Sequence, residues 1–337
     1  MRDGFNREID YLRISVTDRC NLRCVYCMPA QGIAHKPQSQ ILSFEEIYQI
    51  VKAGVSLGIR KVRITGGEPL VRKDLPLLIE KLKTISALKE IALTTNGIYL
   101  SRYALFLKRA GLDRVNISLD SLIPERFEEI TRGGALGSAL SGIESALAVG
   151  FRPVKINVVL LKGFNSDEVL SFAKLSKDRL LEVRFIEVMR TGLNYLSYED
   201  VFFGVDQARA ICSGLGKLVP VEEGSTKTAK SFRISGFCGT VGFISPVSQP
   251  FCASCNKLRL TSDGRIRNCL HSAKITDLRE GAENIKSEEG LISSIKEAIT
   301  LKPKSHNLAN PCFGGGELSG VSFVLEEENF SMCQIGG

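Results

Sequence analysis

The chain has 337 residues, of which 44% are hydrophobic and 24% charged, and its formal net charge is +7. This composition is ordinary for a globular protein, and the length suits a barrel-sized domain of about 200–250 residues with an extension. The 44 basic residues form no block of like charge, so a nucleic-acid-binding tail is not expected. No apolar run is long enough to cross a bilayer, so no membrane is expected either.

The chain contains ten cysteines, and its first residues lack the apolar segment of a secretory signal. In a reducing compartment such cysteines are more often metal ligands than disulfide partners. We therefore expect a cytoplasmic protein that uses thiolates to bind metal.

Strands and helices alternate along the first 190 residues. Residues 11–17 alternate apolar and polar side chains, which predicts a strand. Residues 44–57 predict a helix that begins with a capping box between Ser43 and Glu46. Further strands are predicted at 61–65, 90–95, 114–119, 153–160 and 182–188, and further helices at 75–84, 101–109, 124–130, 138–149 and 167–177. Six strands separated by helices predict a parallel α/β fold, either an open sheet or an incomplete (β/α)6 barrel.

The regular alternation stops near residue 190. The sequence then predicts an irregular α+β segment, a hairpin over 258–267 with an Asp-Gly turn, and a helix over 288–300. We therefore divide the chain into a partial barrel, residues 1–190, and a C-terminal domain, residues 191–337, which ends in a diglycine.

One face of the predicted strands is polar, whereas the interior of an ordinary barrel is apolar. Unpaired buried charges are costly, so this face should surround a ligand, and an anion with several phosphates would satisfy its cations. The alternative is that these side chains form a solvated outer rim. The polar positions are Arg13, Ser15, Arg63, Thr65, Thr94, Asn116, Ser118, Lys155, Asn157 and Arg184.

Three cysteines, Cys20, Cys24 and Cys27, follow the first strand within eight residues. Thiolates at such spacing can bind one soft metal centre. A structural zinc site needs four ligands, whereas a cubane iron–sulfur cluster on three thiolates keeps one iron open for a substrate. The alternatives are a zinc knuckle with a distant fourth ligand and three unrelated core cysteines.

A second group of three cysteines, Cys252, Cys255 and Cys269, flanks the predicted hairpin. The hairpin would return the third thiolate to the first two. Spacing alone also allows a structural zinc site with His271 or Cys238 as the fourth ligand.

The string LRISVTDRC, from Leu12 to Cys20, runs into the C-x3-C-x2-C motif, in which Tyr26 precedes the last cysteine. These residues resemble the radical S-adenosylmethionine (SAM) enzymes and, more narrowly, the GTP 3′,8-cyclase family of molybdenum cofactor biosynthesis. The GGEP loop at 66–69, the second cysteine triplet and the terminal diglycine fit the same family. The resemblance covers the chain from Leu12 to Gly337 and favours the partial barrel, a TIM-like fold with a C-terminal α+β extension that carries a second Fe–S cluster.

The resemblance implies two [4Fe–4S] clusters and SAM as cofactors. Cys20, Cys24 and Cys27 would ligate the first cluster, whose open iron binds SAM, and Cys252, Cys255 and Cys269 would ligate the second, whose open iron binds the guanine. The implied SAM-binding residues are Tyr26, Gly67, Ser118 and Met189. The implied GTP-binding residues are Arg13, Arg63, Thr94, Lys155, Arg184, Lys257 and Arg259. Lys257 stands where the family usually has an arginine. The lysine keeps the positive charge but cannot form the two parallel hydrogen bonds of a guanidinium.

The implied activity is that of a lyase that converts GTP to (8S)-3′,8-cyclo-7,8-dihydroguanosine 5′-triphosphate, the first step of molybdenum cofactor (molybdopterin) biosynthesis. In that family SAM is cleaved to a 5′-deoxyadenosyl radical that takes hydrogen from ribose C3′. The implied partners are a reductant or electron-donor protein and, downstream, cyclic pyranopterin monophosphate synthase, and a homodimer is compatible with the resemblance. Two rivals remain: a radical SAM enzyme acting on a peptide or another nucleotide, and a non-catalytic Fe–S or zinc regulator.

Overall fold

Six strands of the N-terminal half lie side by side in chain order, and every neighbouring pair is parallel. The structure is a computed structural model that describes residues 1–190, 196–221, 228–272, 274–279 and 287–306. The six predicted strands are confirmed, with ends shifted by one or two residues. They are β1 (Tyr11–Ser15), β2 (Lys61–Thr65), β3 (Glu90–Thr95), β4 (Arg114–Ser118), β5 (Val154–Leu160) and β6 (Leu181–Glu187).

Helices connect these strands, as a parallel sheet requires. The capping box predicted at the first helix is present, because Glu46 N donates to Ser43 Oγ (3.1 Å) and Ser43 N donates to Glu46 Oε2 (2.6 Å). The helices are α1 (Phe44–Ser56), α2 (Leu75–Lys83), α3 (Leu100–Arg109), α4 (Pro124–Thr131), α5 (Leu136–Ala148) and α6 (Val169–Lys174).

The helix predicted over 167–177 is shorter than expected. Residues 166–168 form a 3-10 turn instead, in which the buried Glu168 carboxylate accepts hydrogen bonds from Ser121 Oγ and Leu122 N, both at 2.7 Å. At the other end, the Ser176 carbonyl accepts a hydrogen bond from Gly239 N (2.8 Å) instead of continuing the helix. Tertiary contacts at both ends therefore limit this helix to six residues.

The C-terminal part of the chain extends the same sheet at both edges. The added strands are β7 (Leu218–Pro220), β8 (Lys230–Ile234), β9 (Thr240–Ile244), β10 (Lys257–Leu260), β11 (Arg265–Arg267) and β12 (Ile275–Asp277). One parallel pairing joins β10 to β1, and another joins β9 to β6, giving a 12-stranded sheet in the order β12-β11-β10-β1-β2-β3-β4-β5-β6-β9-β8-β7. The added helices are α7 (Tyr198–Val201), α8 (Val205–Ser213) and α9 (Glu288–Thr300).

The two faces of the central strands differ as the alternation predicts. Ile14, Ile64 and Leu93 are fully buried in the hydrophobic core that the helices complete. The residues that alternate with these along each strand form the opposite face of the sheet. On that face Arg13 is paired in register with both Arg63 and Arg259. Residues paired across neighbouring strands point to the same side of a sheet. The predicted polar face is therefore present.

Within the described ranges, no helix combines the length and apolar character needed to cross a bilayer.

Candidate active site

The first cysteine triplet forms a tight turn after β1. The Cys24 carbonyl accepts hydrogen bonds from Cys27 N (2.9 Å) and Met28 N (3.2 Å), and Leu22 N donates to Cys20 Sγ (3.4 Å). Burial raises the pKa of the Cys24 thiol, and the negative charges of Asp120 and Cys20 raise it further. A thiol in that position becomes a good ligand once a metal cation displaces its proton.

Hydrogen bonds to distant elements fix the position of this loop. Arg23 N donates to Thr131 O (3.0 Å) at the end of α4, and Asn96 Nδ2 donates to Asn21 Oδ1 (2.8 Å) from the end of β3. The three thiols are half-buried. They are therefore held at the carboxyl edge of the sheet and remain within reach of a ligand.

The GGEP loop after β2 packs directly against the backbone that precedes Cys20. Gly67 N donates to Thr17 O (2.7 Å), and Glu68 N donates to Arg19 O (2.8 Å). A Cβ atom on Gly67 would lie 2.2 Å from Arg19 O, which no side chain can accommodate. The glycine therefore serves the contact between two loops, in addition to any contact with SAM.

Two buried carboxylates at this edge were not among the residues predicted from the sequence. Glu68 accepts hydrogen bonds from Thr95 Oγ1 and Asn96 N, both at 2.7 Å, and burial raises its pKa to about 7. Asp120 accepts a hydrogen bond from Tyr26 Oη (2.5 Å), and burial raises its pKa to about 6. Their positions just past β2 and β4 are the signal that could have found them, since functional side chains of parallel α/β folds gather there.

The four residues predicted to bind SAM all lie at this carboxyl edge. Tyr26 belongs to the triplet loop, Gly67 follows β2, Ser118 ends β4, and Met189 lies two residues beyond β6. Because the carboxyl ends of parallel strands lie at one edge of the sheet, these residues lie at the same edge as the first triplet. Their contact with SAM stays a prediction.

Four cations crowd the polar face of β10, β1 and β2. Burial lowers the pKa of Arg13, and the positive charges of Arg259 and Arg63 lower it further. Burial lowers the pKa of Lys257 to about 8 despite the nearby Cys255. Cations that burial and mutual repulsion disfavour in this way form a ready site for a multiply charged anion. These residues are four of the predicted GTP ligands.

Two of these cations are oriented by neighbouring hydroxyls. The guanidinium of Arg63 donates to Tyr11 Oη and to Thr94 Oγ1, the latter at 3.3 Å. Lys257 Nζ donates to Thr228 Oγ1 (2.7 Å). The predicted residue Thr94 thus contacts the cation group from β3.

Lys155 and Arg184, the other predicted GTP ligands, share a buried carboxylate. Glu182 forms ion pairs of 2.5 Å with Lys155 Nζ and with Arg184 Nε, and Ser231 Oγ donates to it at 3.3 Å. Burial would raise the pKa of Glu182, but the charges of Arg184 and Lys155 outweigh it and hold the pKa at about 2. The alternation that identified Arg184 also places Glu182 on this face, although Glu182 was not among the predicted site residues.

The second triplet surrounds the predicted hairpin, which the structure confirms as β10 and β11 with a turn at Gly264. Cys255 N donates to Cys252 O (3.1 Å), and the charge of Arg259 acts on both Cys255 and Cys269. Burial would raise the pKa of Cys255, but the charges of Lys302 and Lys257 outweigh it, so the pKa is lowered. The triplet therefore has a cationic surrounding that favours thiolates.

Each triplet offers three half-buried thiols. Cysteine thiolates are the ligands that hold iron–sulfur clusters, and in a cubane cluster each thiolate binds a different iron. Cys238 is exposed beyond β8, at the other end of the strand order from β10. The residues of both triplets thus fit iron–sulfur clusters.

The two triplets lie at opposite ends of the β1–β10 pair. The first follows the carboxyl end of β1, while Cys255 precedes the amino end of the parallel strand β10. The paired strand residues between them run from Tyr11–Lys257 to Ile14–Leu260 and span about 10 Å at about 3.3 Å per residue. The crowded cations therefore line the space between the triplets.

The predicted diglycine Gly336-Gly337 and the run Gly314-Gly316 lie outside the described residues.

Two family models together match most of the chain. Residues 14–176 match the radical SAM superfamily, and residues 181–308 match the family described as Molybdenum Cofactor Synthesis C. The GTP 3′,8-cyclase of Petrotoga mobilis is 48% identical over 307 residues, which are 91% of this chain and 95% of that protein. The GTP 3′,8-cyclase of Alkaliphilus oremlandii is 46% identical over 337 residues, 100% of both chains.

Solved structures with the same fold are more distant in sequence. Streptococcus suis SuiB bound to S-adenosylmethionine matches with a TM-score of 0.55 and 14% identity, over 86% of this chain and 68% of SuiB. SuiB bound to its precursor peptide SuiA gives the same TM-score with 15% identity, over 78% of this chain and 60% of SuiB. This likeness shows the fold, and the full-length relatives show the family. The chain belongs to the radical SAM superfamily and, within it, to the GTP 3′,8-cyclase family.

Proposed function

We propose that this protein is a GTP 3′,8-cyclase, a lyase that forms (8S)-3′,8-cyclo-7,8-dihydroguanosine 5′-triphosphate from GTP in the first step of molybdenum cofactor biosynthesis. The observation that carries the proposal is the group of crowded, at least partly buried cations Arg13, Arg63, Lys257 and Arg259, which lies between two cysteine triplets. Full-length relatives named for the same activity support it.

Two [4Fe–4S] clusters are part of the proposal. Cys20, Cys24 and Cys27 would hold the first, and Cys252, Cys255 and Cys269 the second. When bound, the first cluster supplies the electron for reductive cleavage of SAM, and the second offers an open iron to the guanine. The partial-barrel domain of residues 1–190 would carry the first site, and the C-terminal domain of residues 191–337 the second.

The cations between the triplets would hold the triphosphate. Arg13, Arg63 and Arg259 repel one another at close range, and an anion would remove that repulsion while forming charge-assisted hydrogen bonds. Lys257 presents a single ammonium that Thr228 already orients, so it would act as a point charge instead of a fork. This arrangement fixes the nucleotide at its phosphates and leaves the ribose and base free to meet the two ends of the site.

Residues at the carboxyl edge would orient SAM. Tyr26, Gly67, Ser118 and Met189 come from four separate strand ends, so they could contact different parts of one cofactor. The hydrogen bond from Tyr26 to Asp120 fixes the aromatic ring beside Cys27. Orientation and exclusion of water are what the protein contributes to radical chemistry of this kind.

The proposal includes an external one-electron donor, because reductive cleavage of SAM consumes an electron in every turnover. It also includes cyclic pyranopterin monophosphate synthase as the enzyme that consumes the product, and a cytoplasmic setting in which the thiols stay reduced.

The proposal is tested with anaerobically reconstituted protein that is given SAM, dithionite and GTP. Mass spectrometry should detect 5′-deoxyadenosine and a cyclised GTP product. The Cys24→Ser variant should form neither product, whereas the Cys255→Ser variant should still form 5′-deoxyadenosine without the cyclised product.

Other outcomes would reassign the protein. If 5′-deoxyadenosine forms but GTP is unchanged, the chain is a radical SAM enzyme that acts on a peptide or another nucleotide. If the protein binds zinc and leaves SAM intact, the non-catalytic regulator is the better description.

A further inference from the structure

A buried arginine near the N-terminus is bonded to the backbone around the second triplet. Arg7 Nη1 donates to Cys252 O (2.9 Å) and to Lys304 O (3.1 Å), and Nη2 donates to Pro303 O (2.7 Å). Its Nε donates to Asp3 Oδ2 (2.6 Å), and the Asp3 side chain is fully buried. Arg7 thus joins the first residues of the chain to a cysteine 245 positions later and to the segment after α9.

A buried lysine also bonds the backbone of this region. Lys302 Nζ donates to Lys257 O (2.9 Å) and to Asn268 O (2.5 Å), and only 3% of the residue is exposed. Lys257 follows Cys255 by two positions, and Asn268 directly precedes Cys269.

Together the two cations bond the backbone at or within two residues of each cysteine of the second triplet. Arg7 bonds the carbonyl of Cys252 itself, while Lys302 bonds the carbonyl two residues after Cys255 and the one directly before Cys269. These contacts are charge-assisted and buried, so they are stronger than ordinary backbone hydrogen bonds. Residues that bond the backbone of metal ligands fix the ligands before the metal arrives.

We propose that Arg7, its partner Asp3 and Lys302 form a clasp that positions the second cysteine triplet for its cluster. The clasp closes only when the N-terminal residues and the segment after α9 both pack around the second triplet, so cluster retention depends on residues that lie outside the stretch from Cys252 to Cys269. Arg7 and Lys302 are positioning residues and touch neither SAM nor GTP. This inference rests on the proposed function, in which the second triplet holds an iron–sulfur cluster.

The test isolates the second cluster. In a parent chain with Cys20→Ala, Cys24→Ala and Cys27→Ala, all bound iron belongs to the second triplet and should amount to about four atoms per chain. Arg7→Met and Lys302→Met keep the apolar stems and remove the charged heads. Iron loss to a ferrous chelator is then followed by absorbance under anaerobic conditions.

A matched control removes similar bonds elsewhere. Arg60 Nη1 also donates to two backbone carbonyls, Val55 O (2.8 Å) and Ile59 O (2.9 Å), away from both triplets. Removing such supporting contacts usually weakens metal affinity about 10–100-fold, so we expect Arg7→Met and Lys302→Met to lose iron faster than the parent by a factor of that order. Arg60→Met should lose it at the parent's rate, and Arg7→Lys should restore part of the retention.

The iron content of the parent separates failure of the second cluster from failure of the clasp. If the parent binds no iron, the proposed second cluster is wrong and the clasp inference falls with it. If the parent binds iron and the two methionine variants retain it equally well, the cluster stands and the clasp is refuted. The variants Arg7→Met, Lys302→Met and Arg7→Lys are also compared with the parent by circular dichroism. If all three spectra differ from that of the parent, the contacts serve folding of the whole chain and the clasp is refuted.

Discussion

The buried carboxylate of Glu182 gives the sharpest stability prediction. It is 1% exposed and forms ion pairs with both Lys155 and Arg184. The substitution Glu182→Gln keeps the side-chain volume but leaves the buried Lys155 and the partly buried Arg184 without their shared negative charge. Breaking a buried ion pair from one side is strongly destabilising, because the remaining charge cannot be solvated.

The magnitude follows from the pKa of this carboxyl group. Its pKa in the folded protein is about 2, against an ordinary value of 4.5. At about 1.4 kcal/mol per pKa unit, the folded state gains about 3 kcal/mol from ionised Glu182 at neutral pH. Removing one partner of a buried pair typically costs about 3–5 kcal/mol, which agrees with this figure.

The pH dependence has a definite sign. Since the folded-state pKa is lowered, the stabilisation is fully present above about pH 5 and is lost as the pH falls toward 2. The difference in free energy of unfolding between wild type and Glu182→Gln should therefore be about 3 kcal/mol at pH 7 and about 2 kcal/mol near pH 3.5. Urea unfolding of the cluster-free protein, followed by circular dichroism, measures both values.

An exposed pair supplies the control. Glu144 pairs with Arg179 on the surface, where both side chains are about half exposed, so Glu144→Gln should cost at most about 1 kcal/mol. If Glu182→Gln loses no more stability than Glu144→Gln, the ion pairs of Glu182 do not stabilise the fold. A difference that grows as the pH falls would exclude an ionised, stabilising Glu182 as well.

Further predictions concern the nucleotide site and the first triplet. GTP should stabilise Glu182→Gln more than wild type, because phosphate oxygens replace the lost charge; equal shifts in thermal unfolding would argue against phosphate binding there. Arg13→Met should weaken GTP binding by about 1–3 kcal/mol in calorimetry, and unchanged affinity would put Arg13 outside the site. Gly67→Ala places a methyl 2.2 Å from Arg19 O and should lower iron at the first triplet, whereas Gly137→Ala, with no atom within 4 Å, should not. Equal iron content in both glycine variants would contradict the close packing of the loops.

The sequence predicts the central strands well because their signal is local. Alternation over five to seven residues identifies β1 to β6 and also separates the core face from the polar face. That periodicity alone is enough to place Arg13 and Arg63 on the polar face. Glu182 carries the same local signal and was predictable.

Pairings between distant segments leave no such local signal. The pairing of β10 with β1 and of β9 with β6 depends on contacts between segments far apart in the chain. The pattern of residues within one strand does not indicate which other strand it pairs with. The same holds for the contacts of Arg7 and Lys302, each a single cation in an unremarkable stretch. The close approach that requires Gly67 is likewise visible only in three dimensions.

If SAM cleavage is coupled to hydrogen removal from GTP, the hydrogen of ribose C3′ is transferred to 5′-deoxyadenosine, and isotope labelling measures that transfer. Reconstituted wild-type protein is incubated with SAM, dithionite and GTP deuterated at ribose C3′, and the 5′-deoxyadenosine is analysed by mass spectrometry. We expect 5′-deoxyadenosine that carries one deuterium, formed together with the cyclised product. Unlabelled 5′-deoxyadenosine alongside unchanged GTP would show that the radical does not act on GTP.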